Sequence, residues 1–252
     1  PSQWKDYQPR VDTNTRRLLD LFAEKEVKST FFVLGWVAER FPELIKDIHS
    51  QGHEIASHGY AHRRATQQNR QELLQDIKRS KDHLEDLIGE TIVGYRAPSF
   101  SIGYDNEWAF EVLAELGFKY SSSTYPVKHD LYGTPDWPRF AYIRPENISE
   151  IPIPTLKLLG KQIPIGGGGY FRLYPYKITE KLIRRYLRQE KQPYSFYFHP
   201  WEIDAEQPRL KNAPLKSRFR HYINLHRTEA KLSRLLTDFS WSTMRDVYGV
   251  NK

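Results

Sequence analysis

Short apolar runs alternate with helical stripes along most of the chain, and this alternation restricts the fold more than any other feature. The runs at 29–34, 91–95 and 194–198 have the length of buried strands, and apolar residues at helical spacing lie between them. Gly52, Gly89 and Gly117 follow the stripes, as glycines commonly do where helices end. The pattern indicates an α/β protein with a mostly parallel sheet or barrel, whose catalytic groups lie at the carboxyl ends of strands.

Composition narrows the class further. The 252 residues suffice for one domain over 1–252, and we expect basic amphipathic helices from about 205 to 252 to pack on its outside. The sequence has no apolar run long enough to span a membrane, and it has no cysteine, so a metal site must use histidine and carboxylate. The net charge of +7 is spread over helices, which favours solvated helix faces over a nucleic-acid partner. Oligomeric state does not follow from these features.

Two histidines follow the apolar run that ends at Ser57. His58 and His62 are separated by three residues, and at the end of a strand both imidazoles can turn toward one divalent cation. A catalytic zinc-type site needs about three protein ligands and one open position, so this pair would supply two. The alternative is that this common spacing arose by chance on the surface.

Two further polar residues follow apolar runs, Arg96 and His199. His199 is the candidate general acid for a leaving amine, and the alternative is a hydrogen-bonded core histidine. Arg96 could orient a carboxylate base, and the alternative is a structural ion pair. The backbone N–H of Ser99, beside Pro98, could face an oxyanion. The glycine run 166–169 lacks the lysine of a phosphate-binding loop, so we expect it to allow close backbone approach.

Taken together, these segments resemble a known family. The stretches 57–62, 96–100 and 197–199 resemble the metal, arginine and late-histidine motifs of the polysaccharide deacetylases of carbohydrate esterase family 4. The stretches 30–40, 166–172, 198–202 and 219–222 resemble the subgroup associated with exosortase and exopolysaccharide loci.

The resemblance implies a distorted (β/α) barrel and a metal-dependent removal of N-acetyl groups from an amino-sugar polysaccharide. By that likeness His58 and His62 bind a divalent metal, most simply zinc, Arg96 positions the base and His199 is the acid. The expected substrate-binding residues are Pro98, Ser99, Phe100, Tyr170 and Trp201.

One departure from the family pattern concerns its first strand, which carries an acidic motif that gives a metal ligand and the base. Here Asp6 and Asp12 are the only aspartates ahead of the first helical stripe, and neither follows an apolar run. We therefore expect this stretch to lack the first strand of the barrel and the two groups that it carries, and Asp130 is a further candidate ligand.

Two other functions remain open at this stage: a small-molecule cyclic amidohydrolase on the same fold, and a non-catalytic glycan-binding protein that uses its aromatic residues as stacking surfaces. Because the sequence shows no signal-peptide pattern, a cytoplasmic location is the expectation.

Overall fold

The computed structural model describes residues 10–128, 133–158, 160–209 and 214–250, which group into two units. Among these residues, the first unit comprises Lys28–Ile153 and 242–250, and the second comprises 10–27 and Pro154–Trp241. No helix in the described ranges combines the length and the apolar character that crossing a membrane requires.

The helices of the described residues are α1 (Val11–Glu24), α2 (Gly35–Arg40), α3 (Pro42–Ser50), α4 (Arg70–Ile88), α5 (Ala109–Glu115), α6 (Gly168–Leu173), α7 (Tyr176–Glu190), α8 (Leu215–Tyr222), α9 (Leu225–Asp238) and α10 (Met244–Val247). The strands are β1 (Thr30–Val33), β2 (Glu54–Ser57), β3 (Gly94–Tyr95), β4 (Tyr120–Ser121), β5 (Tyr142–Ile143), β6 (Ser149–Glu150), β7 (Thr155–Leu158) and β8 (Lys161–Pro164).

A mostly parallel sheet forms the centre of the first unit. Its order is β1-β2-β3-β4-β6-β5, in which β5 alone pairs antiparallel with its neighbour. Helices connect β1 to β2, β2 to β3 and β3 to β4, as parallel pairing requires. The predicted α/β class with a largely parallel sheet is therefore confirmed.

Helix α4 shows how local sequence builds this unit. Asn69 accepts from the Glu72 N–H while the Glu72 carboxylate accepts from the Asn69 N–H, which satisfies two amides at the helix start. Leu73, Ile77 and Leu84 lie on one face and are buried. Gly89 then ends the helix in the left-handed conformation.

The apolar spacing in the sequence predicts one helix from about Val37 to Ser50, but the structure has two helices there, so this prediction is wrong. Phe41 has non-helical backbone angles (φ −130°, ψ 56°) and separates α2 from α3. Pro42 is the cause, because a proline restricts the residue before it and cannot donate a backbone hydrogen bond.

The second unit contains the hairpin β7-β8 and helices α1 and α6 to α9. The strand expected at 194–198 is reduced to one parallel bridge between Gly167 and Tyr197. Pairing stops there because its partner, the glycine run, turns into α6 at Gly168. The prediction of close backbone approach is confirmed, since the Tyr197 N–H donates to the Gly166 carbonyl (2.8 Å) and a side-chain carbon on Gly166 would lie 3.0 Å from the Ser195 carbonyl oxygen.

Candidate functional site

The loop that carries the two histidines is anchored to strands and helix on both sides. The His58 N–H donates to the Val33 carbonyl (2.8 Å), which continues the β1-β2 pairing by one residue. Gly59 follows with φ +74°, and the Tyr60 N–H donates to Asp76 Oδ2 (2.8 Å) on α4. A Cβ on Gly59 would lie 2.7 Å from that same oxygen, so glycine is required there.

A short hydrogen bond orients the His58 ring. Its Nδ1 lies 2.7 Å from the carbonyl oxygen of Arg96, at the end of β3. Because a carbonyl can only accept, Nδ1 carries the proton and Nε2 keeps its lone pair. The His62 ring lies 5.2 Å from the His58 ring, centroid to centroid, with the planes at 68°. This donor set fits a divalent metal, because metal-binding histidines are commonly oriented by such a second hydrogen bond.

Two histidines do not complete a metal site. Among the described residues no group of three or more histidine and carboxylate side chains could hold a metal ion. Of the further candidates, Asp12 forms an ion pair with Arg16 one turn along α1, and Asp6 and Asp130 lie outside the described residues.

Arg96 begins directly after β3 and is held by neighbouring strands. Its N–H donates to the Ser57 carbonyl (3.0 Å), and its guanidinium donates to the Ser122 carbonyl (3.0 Å) and to the Ser122 hydroxyl (2.8 Å). The guanidinium carbon also lies 4.0 Å from the centre of the Phe32 ring, a cation–π distance. The fold thus brings Arg96 to the histidine loop, while its expected action on a base stays a prediction.

The turn after Arg96 contains unusual backbone. Ser99 (φ 58°) and Phe100 (φ 50°) are both left-handed, inside a short 3-10 turn that begins at Pro98. Such a conformation costs on the order of 1–3 kcal/mol for a residue with a side chain, and strain of this kind concentrates at functional sites. Phe100 also lies beside Arg96, with its ring centre 5.7 Å from the guanidinium carbon.

A buried carboxyl beneath this turn was missed from the sequence. Glu150, at the end of β6, is fully buried, and its Oε1 accepts from the N–H groups of Ser123 and Thr124 and from the Thr124 hydroxyl. Burial raises the pKa of Glu150 above its usual value. The Ser123 hydroxyl in turn accepts from the Ala97 N–H (2.9 Å), so this network supports the arginine turn. Glu150 does not follow an apolar run in the sequence, so no local pattern indicated a functional role for it.

The late histidine lies in the second unit. His199 is about half exposed, and its Nδ1 lies 3.0 Å from Oε1 of the buried Glu202. The Trp201 ring is nearly parallel to the His199 ring at 5.6 Å. Tyr170, on α6, is 39% exposed and lies 6.1 Å from the Tyr174 ring. Of the predicted residues, His58, His62, Arg96, Pro98, Ser99 and Phe100 therefore lie together in the first unit, and His199, Tyr170 and Trp201 belong to the second.

The histidine pair and Arg96 follow the carboxyl ends of parallel strands. In α/β enzymes the catalytic residues lie at these strand ends. Residues 5–121 match the family described as "Polysaccharide deacetylase", and residues 122–249 match a "Domain of unknown function (DUF3473)". The chain therefore contains a polysaccharide deacetylase domain, of the carbohydrate esterase type, over residues 5–121, and its residues 122–249 belong to the family of that domain of unknown function.

Named relatives match part of the chain. A peptidoglycan-N-acetylglucosamine deacetylase of Bacillus cereus is 32% identical over 107 residues, which are 42% of this chain and 48% of that protein. A peptidoglycan deacetylase of Helicobacter pylori is 33% identical, over 42% of this chain and 36% of its own length. A chitin deacetylase of Arthroderma benhamiae is 29% identical, over 48% and 33%. The chain thus matches half or less of the length of each of these relatives.

Solved structures extend the likeness in fold to nearly the whole chain. A protein of Mycobacterium smegmatis assigned to the polysaccharide deacetylases has a TM-score of 0.57 and 23% identity, covering 94% of this chain and 76% of its own. A carbohydrate esterase family 4 pseudoenzyme of Bacillus anthracis has a TM-score of 0.51 and 12% identity, covering 94% and 61%. At such identities the likeness shows the fold alone.

Proposed function

We propose that this chain is part of a metal-dependent hydrolase that removes N-acetyl groups from an amino-sugar polysaccharide. The named relatives deacetylate peptidoglycan or chitin, which supports this class of substrate. The stretches that resemble the exosortase-associated subgroup support a role in exopolysaccharide biosynthesis, and a cytoplasmic location is part of the proposal.

The observation that carries the proposal is the hydrogen bond between His58 Nδ1 and the Arg96 carbonyl. It makes Nε2 the nitrogen of His58 that carries the lone pair, with the His62 ring nearby, which suits two of the ligands of a divalent metal. His58 and His62 would hold zinc. When bound, zinc lowers the pKa of a coordinated water to about 7 and polarises a carbonyl oxygen.

The chain's own residues supply the remaining tasks in this proposal. Arg96 presents guanidinium donors that can orient a carboxylate base. The backbone N–H of Ser99, held in a strained turn, can donate to the oxyanion of the tetrahedral intermediate. His199, whose side chain is about half exposed, gives a ring proton to the leaving amine of the sugar as the C–N bond breaks. Tyr170, which is 39% exposed, and Trp201 offer apolar surface to sugar rings in the second unit, whereas Phe100 in the first unit is buried beside Arg96.

Calorimetric titration with zinc tests the metal site directly. We expect zinc affinity to fall at least about tenfold in His58→Ala, while His226→Ala, which removes an exposed histidine of α9, should leave it unchanged. Zinc binding that is equal in both variants would contradict the assignment.

Release of acetate tests the reaction. The full-length protein should release acetate from N-acetylated amino-sugar polymers and should not hydrolyse short cyclic ureides. The reverse preference would identify a small-molecule amidohydrolase instead.

A second candidate, non-catalytic glycan binding, is favoured by one observation: the described residues offer two metal donors rather than three. Glycan binding that is unaffected by His58→Ala and by a chelator, without acetate release, would support it.

A further inference from the structure

His199 is paired with a carboxylate on its own turn. Residues Pro200–Ile203 form a 3-10 turn, which places the Glu202 side chain next to His199. Glu202 Oε1 accepts from the His199 N–H and faces Nδ1 of the same residue, both at 3.0 Å. The His199 side chain is 51% exposed, whereas that of Glu202 is 3% exposed. Nδ1 of His199 is therefore held by the buried carboxylate, while about half of the side chain remains exposed to solvent.

The Glu202 carboxylate is itself fixed by a buried arginine. Arg172 Nε donates to Glu202 Oε2 at 2.8 Å, and both side chains are 3% exposed. The other guanidinium nitrogens of Arg172 donate to backbone carbonyls of Arg220, His221 and Ile223, so the guanidinium cannot turn away. Burial by itself would raise the pKa of Glu202, but the hydrogen bonds and charges of His199 and Arg172 hold that pKa below its usual value.

We propose that Glu202 is the positioning residue of His199: it fixes the imidazole with the proton on Nδ1 and with Nε2 presented outward. The argument is one of donors and acceptors, because an ionised carboxylate can only accept, so the nitrogen that faces it must carry hydrogen. In the neutral ring Nε2 then holds the lone pair, and in the protonated ring Nε2–H is the proton available to a leaving amine. The inference rests on the proposed role of His199 as the acid.

The plane of the ring is set by aromatic neighbours. His199 packs nearly parallel to Trp201 (18°), and Trp201 packs nearly parallel to His221 at 4.1 Å (14°). His221 lies on α8, so residues well beyond the late-histidine motif take part in orienting it. The Glu202 carboxylate restricts the tautomer of His199, and the stacked Trp201 ring restricts the orientation of its imidazole plane.

His221 provides a control within the same molecule. Its Nε2 lies 2.7 Å from Gln207 Oε1. The Gln207 amide orientation is determined, because its Nε2 donates to the carbonyls of Trp201 and Asp204. His221 must therefore donate from Nε2, which makes its tautomer the opposite of that predicted for His199.

The experiment is a long-range proton–nitrogen correlation spectrum of the 15N-labelled chain above the titration range of its histidines, with His199→Gln to assign the signal. We expect His199 to be protonated on Nδ1 and His221 on Nε2. In Glu202→Ala the Nδ1–H form of His199 should fall from nearly all of the population to a minor share, and His221 should not change. A wild-type His199 protonated on Nε2, or a tautomer that survives the substitution, would overturn the proposal.

Glu202→Ala leaves the Arg172 guanidinium buried without its carboxylate, which can unfold the chain. The double variant Arg172→Met, Glu202→Leu removes both charges together and should give the same tautomer change at His199. If both variants unfold, the wild-type spectrum still decides, because an Nε2–H tautomer there contradicts the inference and an Nδ1–H tautomer supports it. This readout is independent of acetate release: an Nδ1–H tautomer in a protein without deacetylase activity would preserve the positioning role and refute the proposed function.

Discussion

Replacing Gly168 by alanine should weaken the Arg172–Glu202 ion pair although neither of these two residues is substituted. An added Cβ would lie 2.3 Å from Glu202 Oε2 and 2.7 Å from its carboxyl carbon, whereas ordinary contacts begin at 3.4 Å. The carboxylate would have to retreat by about 1 Å, but Arg172 and the two His199 bonds hold it in place. Weakening one buried charged contact costs about 3 kcal/mol. We expect the free energy of unfolding to fall by about that amount.

Gly169 is the matched control. It is the next residue of α6, and an added Cβ there has nothing within 4 Å. Gly169→Ala should therefore leave stability unchanged or raise it by up to about 1 kcal/mol, because alanine favours the helix. Urea unfolding of both variants, followed by circular dichroism, provides the measurement. Equal stability of the two variants would show that the Glu202 carboxylate moves freely, and would refute the picture of a fixed pair.

Two further predictions concern the first unit. Burial, with a smaller contribution from the Lys28 charge, lowers the pKa of His53 from 6.5 to about 4, and its Nδ1 faces the Ser29 N–H. The unfolded chain therefore binds the proton more readily than the folded chain. The contribution of His53 to stability is full above pH 6.5, and about 3 kcal/mol of it is lost as the pH falls to 4. His53→Asn, which keeps an acceptor but does not titrate, should flatten that pH dependence in urea unfolding, and an unchanged slope would contradict it. Asn69→Ala removes the cap of α4 and should lower the free energy of unfolding by about 1 kcal/mol, whereas Asn69→Asp should be close to neutral; equal loss in both would mean that the cap hydrogen bond is not the cause.

Much of the fold could be predicted because its signals are local. Apolar spacing predicts helices over residues 12–26, about 73–88 and 178–189, which agree with α1, α4 and α7 to within a few residues, and glycines mark helix ends. The two-residue strands β3, β4 and β6 were harder, because their pairing depends on neighbours distant in sequence rather than on their own composition. The break at Pro42 was available from the sequence and was overlooked.

Some residues of the candidate site could likewise be predicted from the sequence, and others were found only in the structure. The spacing of His58 and His62, and the positions of Arg96 and His199 after apolar runs, were visible in the sequence because each residue directly follows its run. Their assignment as ligands and acid stays a prediction. Neither the buried carboxyl of Glu150 nor that of Glu202 was given a role from the sequence, since both act through partners brought near by folding.

The sequence by itself determined the longer helices, the alternation of strands with helices and the residue types that follow the apolar runs, because helix period, caps and breakers are properties of neighbouring residues. The tertiary structure alone decided how those residues are held. The carbonyl that orients His58 belongs to Arg96, 38 residues away, and the guanidinium that fixes Glu202 comes from Arg172, 30 residues earlier. A hydrogen bond requires a donor and an acceptor within about 3 Å, and only the packed chain brings such distant groups to that distance.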